Sequence, residues 1–222
     1  RDAEIIIVDD GSTDDSVRYL KENYPKIKLI EKFTNSGFAT SVNLGVKTAT
    51  TDIFLLLNTD LIPQEGFLEP LIKHFQDPKV FAVGCCDESI EGINIVKRGC
   101  GIGKFARGFL LHSKGINYKK MTLRPSGGSR AFRKTIWKEL GGMDEIYDPF
   151  YWEDIDLSYR AQKSGYQVLF EPKSIVVHKH ETGSIKTQFT LEYITRIAYR
   201  NQFIFVWKNI TDLPYLFQHL LW

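Results

Sequence analysis

Acidic and imidazole side chains recur in this sequence just where short apolar runs end. Asp9 and Asp10 follow Ile5–Val8. Asp60 closes Asn58-Thr59-Asp60 after the run Ile53–Leu57. Glu153, Asp154 and Asp156 open a helix-like segment, and His178 and His180 follow Ser174–Val177. If one sheet gathers them at one edge, the carboxylates repel one another unless a cation sits among them. Hard oxygen ligands with an imidazole suit Mg²⁺ or Mn²⁺ bridging phosphate oxygens. Each group also has a plainer use. Asp-Asp-Gly-Ser is a common turn and capping sequence, and Asn-Thr-Asp can simply end a strand. Glu153 and Asp154 can complement a helix dipole, worth about 0.3–1 kcal/mol. Histidines in a polar stretch are usually solvated.

Strands and helices in alternation must position these groups. Ile5–Val8 is continuously apolar and β-branched, as in a strand covered on both faces. Ser12 or Thr13 can cap the following helix, with Asp14 and Asp15 in its first turn. Strands are predicted at 27–30, 53–57, 80–83, 127–132, 166–170 and 174–177, and helices at 37–48, 67–75, 134–140, 151–163, 191–207 and 213–222. The expected fold class is α/β, a Rossmann-like, mostly parallel sheet flanked by helices, with a C-terminal helical segment. In such sheets ligands bind beyond the carboxyl ends of the strands. The glycine-rich stretch Cys85–Arg124 loses the rhythm and reads as hairpin plus loop, a lid over a site or a disordered insertion.

Composition narrows the class. The 222 residues carry 29 Lys+Arg against 27 Asp+Glu and are 43% hydrophobic, enough for one sizeable core and not a nucleic-acid binder. Cys85, Cys86 and Cys100 make no disulfide framework, so a reducing, cytoplasmic setting is expected. No stretch is apolar over the roughly 18 residues that a membrane span needs, and no signal peptide is visible. The chain begins at Arg1 and enters a strand almost at once, which reads as an excised piece.

Several segments, in order, resemble family 2 glycosyltransferases of the GT-A fold. Ile6-Ile7-Val8-Asp9-Asp10-Gly11-Ser12-Thr13-Asp14 is similar to the opening nucleotide-binding motif. Asn35-Ser36-Gly37-Phe38-Ala39, with Asn43 and Gly45, resembles the N-x-G-x-a segment, and Asn58-Thr59-Asp60 a DxD variant. Gly141–Glu145 resembles the GGFDE segment, Tyr151–Arg160 the ED-x-D-L-x-x-R helix, and Val176-Val177-His178 the closing strand and histidine. Bacterial rhamnosyltransferase-like enzymes are the nearest in character. The resemblance divides the chain into a catalytic domain, 1–184, lacking the family's first strand and helix, and a helical extension, 185–222.

The resemblance implies inverting transfer of a sugar from a UDP- or dTDP-sugar to a glycan or lipid-linked hydroxyl, in cell-surface polysaccharide synthesis. Asp10 would bind the pyrimidine, with Asp9 supporting its loop. Asn35, Gly37, Asn58 and Gly128 would line the donor site, and Gly127 and Gly128 would let backbone approach the donor. Asp60 and His178, or else His180, would hold Mg²⁺ or Mn²⁺. Asp154 would be the general base, Glu153 would hold the acceptor, and Trp152 and Tyr151 would offer faces for a sugar ring. The aromatic C-terminal stretch could touch a membrane surface at the inner face of the cell membrane, though core packing or a partner subunit explains it too. Two other readings are a non-catalytic nucleotide-sugar-binding or scaffolding module and a sugar nucleotidyltransferase. The Gly-rich, basic signature of the last is not found.

Overall fold

The computed structural model describes residues 3–91, 94–115, 121–125, 128–178, 185 and 188–221. Strand β1 (Ile6–Asp9) pairs in parallel with β2 (Lys28–Glu31), and helix α1 (Ser16–Asn23) links them. α1 begins later than its sequence suggests. Neither Ser12 nor Thr13 caps it; instead Asp14 Oδ1 accepts from the Ser16 N–H at 3.0 Å. Helix α2 (Phe38–Thr48) then leads to β3 (Ile53–Leu57) and the short β4 (Leu61–Pro63).

The main sheet runs β3-β9-β5-β10-β4, with β6 paired to the far end of β5. Its centre is two twelve-residue strands in parallel, β5 (Val80–Glu91) and β10 (Gln167–His178). Strand β9 (Ser129–Arg133) lies antiparallel to both β3 and β5, and β4 is antiparallel to β10. The fold class is α/β as expected, but the sheet is mixed rather than mostly parallel. A short apolar run shows that both faces are covered; it carries no signal for strand direction.

Helices cover both faces. Helices α2, α4 (Lys134–Glu139) and α5 (Glu153–Lys163) lie over one core containing Phe81, Phe132, Trp137, Leu157 and Val168. Helix α3 (Leu68–Lys73) lies over the other, with Leu71, Phe75, Val83, Ala131 and Leu169. Neighbours Ala131 and Phe132, like Val168 and Leu169, fall in opposite cores because successive strand side chains alternate faces. Each fully buried Phe or Leu adds roughly 1.5–3 kcal/mol.

The stretch read as hairpin plus loop holds two hairpins among the described residues. β5 runs on to Glu91 and folds back as β6 (Asn94–Arg98), and β7 (Gly101–Ala106) and β8 (Phe109–Lys114) form a second hairpin. The C-terminal helices α6 (Leu191–Asn209) and α7 (Leu213–Leu220) pack against it. Leu110, Tyr147, Trp152, Ile155, Phe205, Val206 and Ile210 make this third core. Asp156, fully buried on α5, accepts from Tyr147, Arg160, Lys208 and Asn209 and so fastens α6 to α5. Cys85, Cys86 and Cys100 are free and buried. Among the described residues no helix is long and apolar enough to cross a membrane.

Candidate active site

The loop after β1 is built by its own carboxylates. Asp9, 9% exposed, accepts from the N–H groups of Gly11 and Ser12 through Oδ2 and so closes the turn. Gly11 has φ +78°, and a Cβ there would lie 2.8 Å from the Asn35 nitrogen, so only glycine lets the two loops meet. Asp10 reaches across to that second loop, accepting from the N–H of Ser36 at 2.9 Å and of Gly37 at 3.0 Å. Its Oδ1 also meets Lys32 Nζ at 2.6 Å. Burial works to raise the Asp10 carboxyl, but Lys32 and the two N–H donors outweigh it and hold it below its ordinary range. Asn35 itself is exposed.

Gly37 links this corner to the next. A Cβ on it would lie 2.4 Å from the Asp148 carboxyl, which accepts from the N–H groups of Ala39 and Thr40 and from the Thr40 hydroxyl. Asp148 thus caps α2 from a distant part of the chain. Beyond it, Tyr151 and Trp152 both adopt left-handed backbone, φ +71° and +78°, and this double turn delivers Glu153 and Asp154 at the N-terminus of α5.

Asp154 sits in a clamp. Its Oδ2 meets Arg124 Nη1 at 3.0 Å and Arg130 Nη1 at 3.2 Å, while Oδ1 accepts from the Ile155 N–H at 2.8 Å. Burial would raise this carboxyl, but the Arg124 and Arg130 charges, the Ile155 N–H and nearby His112 hold it below its ordinary range. Glu153 is the opposite case. It is 7% exposed, its Oε2 is buried without a hydrogen-bond partner, and burial followed by the Asp154 charge pushes it up to about 8. Arg130, wholly buried, keeps Nε and Nη2 without partners. Desolvation and the Arg124 charge lower the His112 imidazole.

Arg130 connects the clamp to the end of β3. It lies on β9 beside Ser129, which is in register with Leu57. The Asn58 N–H donates to the Gly128 carbonyl at 2.9 Å, and a Cβ on Gly128 would lie 2.9 Å from Leu61 and 3.2 Å from Asn58. Asp60, with Oδ1 shut from solvent, precedes Leu61, and Leu61 pairs with His178 across β4 and β10. Contacts and short stretches of chain therefore link Asp10 through Gly37, Asp148, Glu153, Asp154, Arg130 and Gly128 to Asn58, Asp60 and the His178 backbone. The His178 side chain, His180 and Gly127 lie outside the described residues.

Trp152 does not fit the role expected of it. It is 5% exposed and packs at 5.3 Å against Phe205 and 5.5 Å against His112, so it offers no face to a sugar ring. Tyr151, 38% exposed, keeps a free face. Arg124, Arg130, His112 and Asp148 are the site residues that sequence reasoning missed. Arg130 alone left a trace: a charge inside an apolar strand, Ser129-Arg130-Ala131-Phe132.

Comparison with known proteins decides the family. The profile described as Glycosyl transferase family 2 matches residues 1–141. The chain belongs to glycosyl transferase family 2. Within the family, it is similar to the pre-mycofactocin glycosyltransferase of Mycobacterium tuberculosis, 31% identical over 82% of this chain and 38% of that protein. It is 25% identical to the N-acetylglucosaminyl-diphospho-decaprenol L-rhamnosyltransferase of the same organism, over 82% of this chain and 69% of the relative. In structure it is similar to GalNAc-T7 solved with UDP, GalNAc and Mn²⁺, at TM-score 0.68 and 19% identity, over 79% of this chain and 37% of that one. It is also similar to the mannosyltransferase PcManGT of Pyrobaculum calidifontis solved with GDP-Man and Mn²⁺, at TM-score 0.63 and 20% identity, over 98% and 59%. The fold is GT-A. The chain spans little more than a third of the first relative's length.

Proposed function

We propose that this family 2 chain is the catalytic part of an inverting glycosyltransferase, moving a sugar from a UDP- or dTDP-sugar to a glycan or lipid-linked hydroxyl in cell-surface polysaccharide synthesis. The observation that supports the reading is the series of contacts and short chain steps that links Asp10 to Asp60, with Asp154 along it. We assign the catalytic domain to 1–184 and a docked helical extension to 185–222.

In this reading Asp10 and the Asn35–Gly37 loop bind the nucleoside, and Asp9 keeps the loop closed. Asn58 and Gly128 let the donor approach backbone closely. Among the described residues no three carboxylate, imidazole or thiolate groups gather, so a Mg²⁺ or Mn²⁺ ion would rest on Asp60 and on His178 at the end of the facing strand. That small set of hard donors fits a cation that keeps most of its sphere for phosphate oxygens and water. Bound there, the cation would stabilise the charge that develops on the diphosphate. Asp154 takes the proton of the acceptor hydroxyl, which requires Arg124, the more exposed of its two arginines, to release Oδ2. A lipid-linked acceptor would bring the protein to the inner face of the membrane. The exposed apolar side chains Trp207, Leu213, Phe217 and Leu220, on α6 and α7, support such a contact.

A non-catalytic sugar-nucleotide-binding module is the second reading. Two features favour it: the amide Asn58 where an acid would serve a metal better, and the occupation of both Asp154 oxygens. A thermal-shift screen of nucleoside diphosphates with Mn²⁺, followed by turnover of the matching sugar donors, separates them. The transferase predicts a raised melting temperature with UDP or dTDP and release of nucleotide. Binding without turnover selects the module, and no shift with any nucleotide removes both.

A further inference from the structure

Two polar groups at the centre of the rim are buried and unanswered. Among the described residues nothing donates to Glu153 Oε2, and nothing accepts from Arg130 Nε or Nη2. The Glu153 carboxyl has only its own backbone N–H as donor, and a buried carboxylate so poorly answered is costly, a state that a carboxyl keeping its proton avoids. The groups facing Glu153 are Asp154 on its own helix, Arg130 on β9, and Asp148 and Tyr151 on the loop before it. Of these only Arg130 opposes the shift, and burial with the Asp154 charge outweighs it. Asp148 is committed to α2, and the Nη1 of Arg130 is committed to Asp154. Asp154 carries the negative charge of the pair, with both oxygens bonded. Burial and that neighbouring charge keep the Glu153 carboxyl protonated below about 8. A sugar hydroxyl both accepts and donates, so it can answer an acid O–H and a guanidinium N–H together.

Resting on the transferase reading of this rim, we propose that Glu153 works as a neutral carboxylic acid, a positioning residue that donates its Oε2–H to an oxygen of the acceptor sugar while Asp154, one residue on, stays ionised to receive the acceptor's proton. A carboxyl kept neutral in this way discriminates between ligands by hydrogen bonding, as Gln would, and loses that ability when it ionises.

Difference infrared spectroscopy of the protein against Glu153→Gln tests the protonation directly. On the acid side of about 8 the unsubstituted protein shows the C=O stretch of a protonated carboxyl, which disappears on the alkaline side and is missing from the variant. No such band on the acid side overturns the proposal. The second arm follows transfer from UDP- or dTDP-sugars to octyl glycosides. Glu153→Ala raises the acceptor KM about tenfold with UDP binding unchanged, the size of one lost hydrogen bond. Glu153→Gln brings that KM back to within about threefold and abolishes its alkaline rise. If Gln is as damaging to turnover as Ala, Glu153 must ionise to act and the proposal falls. If the unsubstituted protein transfers from no donor, the transferase reading fails instead, and the infrared band still decides whether Glu153 is held neutral.

Discussion

Asp148 caps a helix that begins 110 residues before it: its Oδ2 meets the Thr40 hydroxyl at 2.6 Å and its Oδ1 meets the Ala39 N–H at 2.8 Å. The same residue leads into the turn that presents Glu153 and Asp154. One carboxylate therefore joins the Ser36–Gly37 loop to the acidic helix. Asp148→Ala is expected to lower the unfolding free energy by about 1–2 kcal/mol, the usual worth of an N-cap. Urea denaturation measures it; a change within error would mean that the cap contributes nothing.

Asp156 is fully buried and holds the Lys208 ammonium and the Asn209 amide as well as Arg160 and the Tyr147 hydroxyl. Removing one member of a buried charged group strands the others. Asp156→Ala should cost about 3–5 kcal/mol, and Asp156→Asn less, because the amide oxygen still accepts. Hydrogen exchange should locate the loss in α6, residues 191–209; an α6 that stays fully protected would place its anchor elsewhere.

Stability should fall between about pH 4.5 and about 8 because of Glu153. Its folded value, about 8, lies above the ordinary 4.5, so the fold binds this proton more tightly than the open chain does. The contribution is complete below 4.5 and is lost as pH rises through about 8, at up to roughly 1.4 kcal/mol per pH unit. Asp154, held low, acts with the opposite sign and contributes less as pH falls through its own value. Melting curves of Glu153→Gln should lose the slope between about pH 4.5 and about 8, and a variant that keeps it would point to a different group.

For the nucleotide site, Asp60→Ala is expected to abolish the Mn²⁺-dependent part of the UDP or dTDP thermal shift. Asp154→Asn should keep that shift and lose about 10²–10⁴-fold in transfer, the range for removing a general base. Normal turnover in Asp154→Asn would leave Asp154 as a purely structural partner of Arg124 and Arg130.

Much of this fold can be read from the residues. Runs such as Ile53–Leu57 are strands within a residue or so of the limits their apolar content sets, and Pro25 and Gly165 follow helices where such residues should. What escapes is long-range. Nothing local in Ser129–Phe132 shows that this strand runs antiparallel between two others. Cys85–Arg124 reads as one hairpin plus loop, and not as two hairpins, because its glycines break the alternation. Two of them are there for close approach: a Cβ on Gly99 would lie 2.4 Å from the Cys85 carbonyl oxygen, and one on Gly108 would lie 2.6 Å from His219 Cα. The acids of the rim announce themselves by type and position. Their basic partners Arg124 and Arg130 do not, since an isolated arginine looks alike whether solvated or locked to a carboxylate. Trp152 misleads for a similar reason, as an aromatic beside acids suits a sugar platform and a core equally well.

The absent side chain of Gly108 has a mechanical meaning. It lets the backbone of α7 settle on the tip of the β7–β8 hairpin, where His219 Nδ1 bonds the Gly108 carbonyl at 2.8 Å and Gln218 accepts from the Gly108 N–H. The outgoing strand of that hairpin carries His112, whose ring lies against Trp152, and Trp152 immediately precedes Glu153. A pull or push on the last helix thus has a short, stiff route to the acidic turn, like a pedal linked to a valve.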